Sequence, residues 1–413
     1  MRLAAVDRQL AATALLLILY GLLVLYSAGQ TDVPTQGFGV WHRQLIWLGV
    51  GLVAAWGTFQ LSPRLLEWLT PAIYGFSLAL LVLVLVVGTG AGTAASSHSW
   101  LSIGGHQVGQ PSELAKVATV LMLARYLSGQ REPPRSLWDL VGPGVIVGAP
   151  SLLVMKEPDL GSGIVFIGIF FAMLFWAGVR PRLLFLLASP VVSLLLAFSN
   201  VSWGLWIVAF SLLLFAWRPY LWDGLIFWLF NVVSGFVAMP LWHRLATYQQ
   251  NRLLTFLNPE VDPRAAGYHA IQSRVAIGSG GWFGTGYTMG PQKRLAFLPE
   301  QHTDFVFSVV GEELGFVGVA AALGLFCVLL LTLIRIARRA TDSFSSLVVF
   351  GILGLFFSHV FENVGMTVNI MPITGIPLPF FSYGGSFFII CCVCLGLVGR
   401  VAWDSRLAGY ADV

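Results

Sequence analysis

The chain has 413 residues, 57% of them hydrophobic and 10% charged, with a mean hydropathy of +0.81. Soluble domains carry roughly 25% charged residues, so this composition excludes an ordinary soluble enzyme and points to an integral membrane protein. The net charge of +4 is scattered among loops rather than gathered in one patch, which argues against nucleic acid as a partner.

A bilayer core takes about 20 apolar residues per helix, and on that measure the sequence predicts an all-α polytopic protein with about 12 transmembrane helices. They fall near 11–29, 44–60, 71–88, 113–128, 138–155, 161–177, 183–199, 203–217, 222–242, 313–334, 345–366 and 385–403. The first follows Arg2 and Arg8 and has Ser27-Ala28-Gly29 at its end, as a signal peptide would. The many later spans favour a retained helix. Lys and Arg placement sets the orientation: both termini cytoplasmic, with Arg64, Arg125, Arg180, Arg218, Arg335 and Arg400 on the inner side. The four cysteines (Cys327, Cys391, Cys392, Cys394) lie in apolar runs without ligand spacing and read as buried thiols.

The segments expected on the outer side are unlike ordinary loops. Residues 89–112 are rich in Gly and Ser and end in Gln110-Pro111-Ser112-Glu113, where Ser112 is a candidate helix cap. Asp159, in the tight turn Lys156-Glu157-Pro158-Asp159, is either a cap or a cavity-lining acid. The interval 243–312, about 70 residues, is the large polar loop of what is otherwise one membrane unit over 1–413. Residues 367–384 are apolar but broken by Pro and Gly, and non-helical backbone at membrane depth needs cover from protein or a wet cavity. They are expected to form a partly re-entrant cavity wall.

Candidate chemistry concentrates in the polar loop. The segment Gly278-Ser279-Gly280-Gly281-Trp282-Phe283-Gly284-Thr285-Gly286 allows either an anion-binding loop or a turn after an amphipathic helix over 267–278. Lys293 and Arg294 are either a solvated pair or, with Arg252 and Arg274, a phosphate clamp. Asp304 opens an apolar run, so spacing alone favours a helix N-cap, with Thr303 as rival. The alternative is a general base with His302 as a neighbouring donor. His359, Glu362 and Asn363 share one helix face, and an acid at membrane depth usually faces a cavity or partner. The Gly90-Ala91-Gly92-Thr93-Ala94-Ala95 match to a dinucleotide fingerprint lacks a βαβ context and is set aside.

Taken in order, several motifs resemble the SEDS family of polytopic cell-wall polymerases, which includes RodA, FtsW and SpoVE. They are Trp41-His42-Arg43-Gln44, Gln110-Pro111-Ser112-Glu113-Leu114-Ala115-Lys116, Glu157-Pro158-Asp159-Leu160-Gly161, Phe297-Leu298-Pro299-Glu300-Gln301-His302-Thr303-Asp304-Phe305 and Gly375-Ile376-Pro377-Leu378-Pro379-Phe380-Phe381-Ser382-Tyr383-Gly384. The stretch 257–263, followed by Ala266-Gly267-Tyr268-His269, is nearer to the elongation type than to the division type. The family's ten spans have one helix before the large loop, whereas three are predicted here, so 183–217 is expected to be an extra hairpin.

The resemblance implies a peptidoglycan glycosyltransferase of the bacterial plasma (inner) membrane. Its substrate would be lipid II and its product undecaprenyl pyrophosphate, and the aspartate of the H-T-D motif, Asp304, would be catalytic. Expected substrate-binding positions are Arg252, Lys293, Arg294, Glu300, His302, Glu113, Lys116, Asp159 and Ser382. A class B penicillin-binding protein is the expected transpeptidase partner. No ligand motif calls for a cofactor, although a divalent cation (Mg or Mn) suits a departing pyrophosphate. The rivals are a lipid II flippase and a non-catalytic scaffold. A carrier would place its ionisable groups near the midplane on broken helices, whereas here most acids sit in loops or at helix ends. A scaffold gives no account of the clustered loop cations.

Overall fold

A computed structural model describes residues 7–33, 35, 37–89, 99–103, 106–157, 159–245, 247–257 and 266–411. The 90–95 motif and residues 258–263 lie outside the described residues, as does the side chain of Arg252. Helices α1 (Arg8–Ala28), α2 (Val40–Gln60) and α3 (Pro63–Val87) come first. A small antiparallel hairpin follows, β1 (Leu101–Ile103) with β2 (His106–Gly109), pairing Ile103 with His106 and bulged beside Leu101. Next come α4 (Pro111–Ser128), α5 (Val141–Lys156), α6 (Leu160–Trp176), α7 (Pro181–Leu196), α8 (Asn200–Trp217) and α9 (Leu221–Arg244). The polar loop carries α10 (Thr247–Leu257), α11 (Ala266–Ser279) and the single turn α12 (Pro291–Arg294). The chain closes with α13 (Val306–Arg339), α14 (Ser343–Thr367) and α15 (Gly385–Ala411).

Each of the twelve expected apolar stretches is helical. Among the described residues eight helices are long and apolar enough to cross a membrane, and α6 and α7 are shorter apolar helices. The core lies around α14, whose apolar window is 83% buried against at most 61% for the other seven. It packs on α4, α6 and α13, while α15 lies along α2.

Two polar ties fasten α1 to α13. At one end Asp7 caps α1, accepting from the Leu10 N–H at 3.0 Å, and takes Arg335 at 2.8 Å and Arg406 at 2.7 Å. At the other end Ser27 donates to Glu313, and Lys293 bonds both, at 3.1 Å to Ser27 Oγ and 2.6 Å to Glu313. Twenty residues of helix separate Asp7 from Ser27, about 30 Å at 1.5 Å per residue. That is comparable with the hydrocarbon thickness of a bilayer, about 30 Å.

The expected extra hairpin over 183–217 forms α7 and α8, and with α9 it makes a three-helix lobe. Its interior is a hydrogen-bonded seam: Asn231 donates to Ser189 Oγ at 2.7 Å, and Trp206 Nε1 donates to Asn231 Oδ1 at 2.9 Å. Such polar contacts hold helices together where lipid offers no hydrophobic drive. The lobe meets the rest of the bundle mainly where α7 passes α6.

Candidate active site

The turn before α13 carries Asp304. The N-cap position of α13 is Phe305, which makes no side-chain cap bond. The aspartate therefore stands one residue before the cap position. Ser112 is not a cap: α4 starts at Pro111 with Gln110 in the cap position. Asp159 does cap, taking the Ser162 N–H at 2.9 Å on one oxygen and Gln110 Nε2 at 3.0 Å on the other.

The 302–305 turn is fixed to the non-helical segment between α14 and α15. Ser382 Oγ donates to the Thr303 carbonyl at 2.6 Å and accepts from the Leu378 N–H at 2.7 Å. The Tyr383 N–H donates to the His302 carbonyl at 2.8 Å. Asn363, fully buried on α14, gives its amide to the Asp304 carbonyl at 2.8 Å and to Ile376 at 2.7 Å. The carboxylate of Asp304 lies against Gly375, where an added Cβ would stand 3.2 Å from Oδ2. Gly375 has φ +75, which glycine adopts without steric cost. The expected cavity wall is thus a buried irregular segment: Ile376, Leu378, Phe380 and Phe381 are at most 3% exposed. A Cβ on Gly21 of α1 would meet the Phe380 carbonyl at 2.1 Å, so no larger residue fits there.

A second polar cluster adjoins that wall at Pro377. Lys116, fully buried, donates to Glu113 at 2.8 Å and lies 3.1 Å from His359 Nε2. His359 Nδ1 is 3.1 Å from the Pro377 carbonyl. His359, Glu362 and Asn363, on one face of α14, are all buried. Glu157, 1% exposed, has no hydrogen-bond donor on either carboxyl oxygen among the described residues. Burial, helped by the charge of Asp159, pushes its pKa up to about 8.

The loop cations divide between two environments. Lys293 is completely buried, its ammonium shared by Glu313 and Ser27, while Glu312 accepts the Gln292 N–H at 2.6 Å and the Lys293 N–H at 3.2 Å. Arg294 is on the surface in a forked pair with Asp32, 2.9 Å at its shortest. Glu300 accepts from Thr303 Oγ1 at 3.2 Å. Burial lowers the pKa of His302, against the pull of Glu300, which favours the neutral imidazole. The Gly278–Gly286 stretch resolves as structure rather than an anion loop. The Thr285 and Gly286 N–H groups bond the Glu312 and Glu313 carbonyls, and Phe316 and Val317 bond back to Gly281 and Trp282. This crossing sits where α13 breaks at Gly315 (φ 61), and a Cβ on Gly284 would meet the Glu313 carbonyl at 2.0 Å. Sequence reasoning missed Ser27, Glu312 and Glu313. Two adjacent acids inside an apolar helix were the available signal.

A helical membrane bundle with an acid-bearing turn locked to a buried, irregular wall is the class of protein defined here. The chain belongs to the FtsW/RodA/SpoVE family, described as cell cycle protein, whose match covers residues 7–206 and 191–407. The two matched pieces overlap over 191–206, from the end of α7 into α8. The chain is 35% identical to the peptidoglycan glycosyltransferase RodA of Treponema pallidum, covering 95% of this chain and 96% of that one. It is 36% identical to the peptidoglycan glycosyltransferase MrdB of Escherichia coli K12, with 95% and 92% covered. A solved structure of a peptidoglycan synthase complex that coordinates polymerization and crosslinking contains a similar chain. The TM-score is 0.70 at 31% identity, with 97% of this chain and 98% of that one covered.

Proposed function

We propose that this chain is a peptidoglycan glycosyltransferase of the elongation type, joining lipid II units into β-1,4 glycan, with Asp304 as general base. The observation that carries the assignment of the base is the Asp304 carboxylate set against Gly375, on a turn held by Asn363 of α14 and Ser382 of the wall. Asp304 takes the proton of the acceptor sugar's 4-hydroxyl as that oxygen attacks the anomeric carbon of the donor. The α-linked donor gives a β-linkage, so the step inverts and undecaprenyl pyrophosphate leaves. Negative charge grows on that diphosphate, and preorganised cations are the physical answer to it. Arg252 and Arg294 are assigned that part, and Lys293, buried against Glu313 and Ser27, ties α12 to α13 and α1 instead. Glu300, His302 and Ser382 shape the sugar site, with Glu113, Lys116 and Asp159 beside the wall. Among the described residues no three His, Cys, Asp or Glu side chains are grouped to hold a metal ion.

The catalytic end is assigned to the extracytoplasmic face of the bacterial plasma membrane, with both termini cytoplasmic, in keeping with the Arg distribution. Similarity to a chain of a polymerising and crosslinking complex supports a class B penicillin-binding protein as partner. The test is polymerisation of purified lipid II by wild type and Asp304→Asn, run beside a vesicle flipping assay. Flipping without polymer by wild type would instead favour the transporter.

A further inference from the structure

The exposed face of α13 has a sharp beginning. Residues 306–313 are all buried, and the outward-facing side chains start with Phe316 and Val317, directly after the break at Gly315. They continue through Val328 and Leu331 to the level of Arg335, which is tied to Asp7. From Phe316 to Arg335 is nineteen steps of helix, about 28 Å, against a hydrocarbon thickness of about 30 Å. Phe316 therefore stands at the membrane boundary on the Asp304 side.

Trp282 packs edge-on against Phe316 at that level, with ring centroids 5.1 Å apart. It is nevertheless 69% exposed, and its neighbour Phe283 is 82% exposed. The backbone beneath them is rigid, bonded to Phe316 at 2.9 Å and Val317 at 3.1 Å. The chain carries no Asp, Glu, Lys or Arg between Arg274 and Lys293, inside its otherwise polar loop. Tyr287 continues the same rim, its hydroxyl bonded to the Leu23 carbonyl of α1 at 2.8 Å.

We propose that the 281–283 turn is an interfacial anchor, seating Trp282 and Phe283 in the phospholipid leaflet on the Asp304 side. Aromatic rings concentrate at that depth because they bury an apolar body beside a wet headgroup layer. Lipid is the occupant because the two rings extend the exposed apolar side of α13 at one end of a span of bilayer length, in a stretch without a charged side chain. The turn is hydrogen-bonded across the break in α13, so the anchor fixes the height of the helix start and of Asp304 just before it. A lipid-linked substrate presents its diphosphate at that same height.

The test places a nitroxide at Phe283→Cys in full-length protein, with Cys327→Ala removing the one exposed cysteine, in phosphatidylethanolamine/phosphatidylglycerol nanodiscs. Collisions with oxygen should exceed those with a water-soluble nickel chelate. Dominant nickel collisions would overturn the proposal. So would protection that appears only on adding the transpeptidase, which would assign the rings to a protein partner. Because Phe283 is so exposed, the label displaces little packing. Independently, Trp282→Ser/Phe283→Ser should lower the ratio of activity in vesicles to activity in detergent several-fold, with an unchanged melting temperature in detergent. An unchanged ratio would also overturn it.

Discussion

The Asp304 carboxylate and Gly375 face each other so closely that a single methyl group on the glycine would stand 3.2 Å from Oδ2. Gly375→Ala would add that contact at a left-handed backbone position (φ +75). A small displacement of a reacting group costs up to about 10²-fold in rate. The variant should therefore lose on the order of 10-fold or more in kcat with only a modest fall in melting temperature, as steady-state kinetics and a thermal melt would show.

Lys293 has no solvent exposure and a carboxylate at 2.6 Å. Lys293→Met strands the buried Glu313 and should cost about 3–5 kcal/mol. Lys293→Met/Glu313→Leu removes both charges and should recover most of that loss. Denaturant unfolding of both variants in detergent distinguishes this tie from a solvated ion pair, for which the single change would cost little.

How much of this was visible in the sequence depends on what each residue's role needed. Helices such as α13 and α14 were legible because long apolar runs need only length and hydropathy. The 302–305 turn was legible as a concentration of polar groups, and 367–384 as backbone too broken for a helix. What Lys293 binds was not legible, since charge and spacing look alike whether an ammonium meets water or a glutamate 20 residues away. The same holds for Gly280 and Gly284: their sequence permits an anion loop, and only the approach of α13 shows that the missing side chains make room for carbonyls.

Glu157 gives a pH dependence whose sign is fixed. Its carboxyl keeps its proton to about 8 when folded, against 4.5 ordinarily. Between those values the folded state binds more protons, so its contribution is present at low pH and is lost as pH rises toward 8. The melting temperature should fall between pH 5 and 8 for wild type, and Glu157→Gln should flatten that slope and raise the value at pH 8.

At the opposite end, Asp7 is buried, which by itself raises its pKa, yet the Leu10 N–H and the two guanidinium groups lower it overall. Its stabilisation is complete above the ordinary carboxylate value of 3.8 and is lost as the pH falls below it. Asp7→Asn should cost about 1.5–3 kcal/mol at neutral pH, the range for hydrogen bonds to charged groups. The difference from wild type should shrink in acid, as melts at pH 3 and pH 7 would show.

The most direct measurement is glycan polymerisation from purified lipid II by wild type and Asp304→Asn, each matched for melting temperature and assayed with the cognate transpeptidase. Loss of general-base assistance is worth about 10²–10⁴-fold. A well-folded Asp304→Asn enzyme should therefore make almost no polymer where wild type makes long strands. Polymer from the folded variant at near wild-type rates would contradict the account.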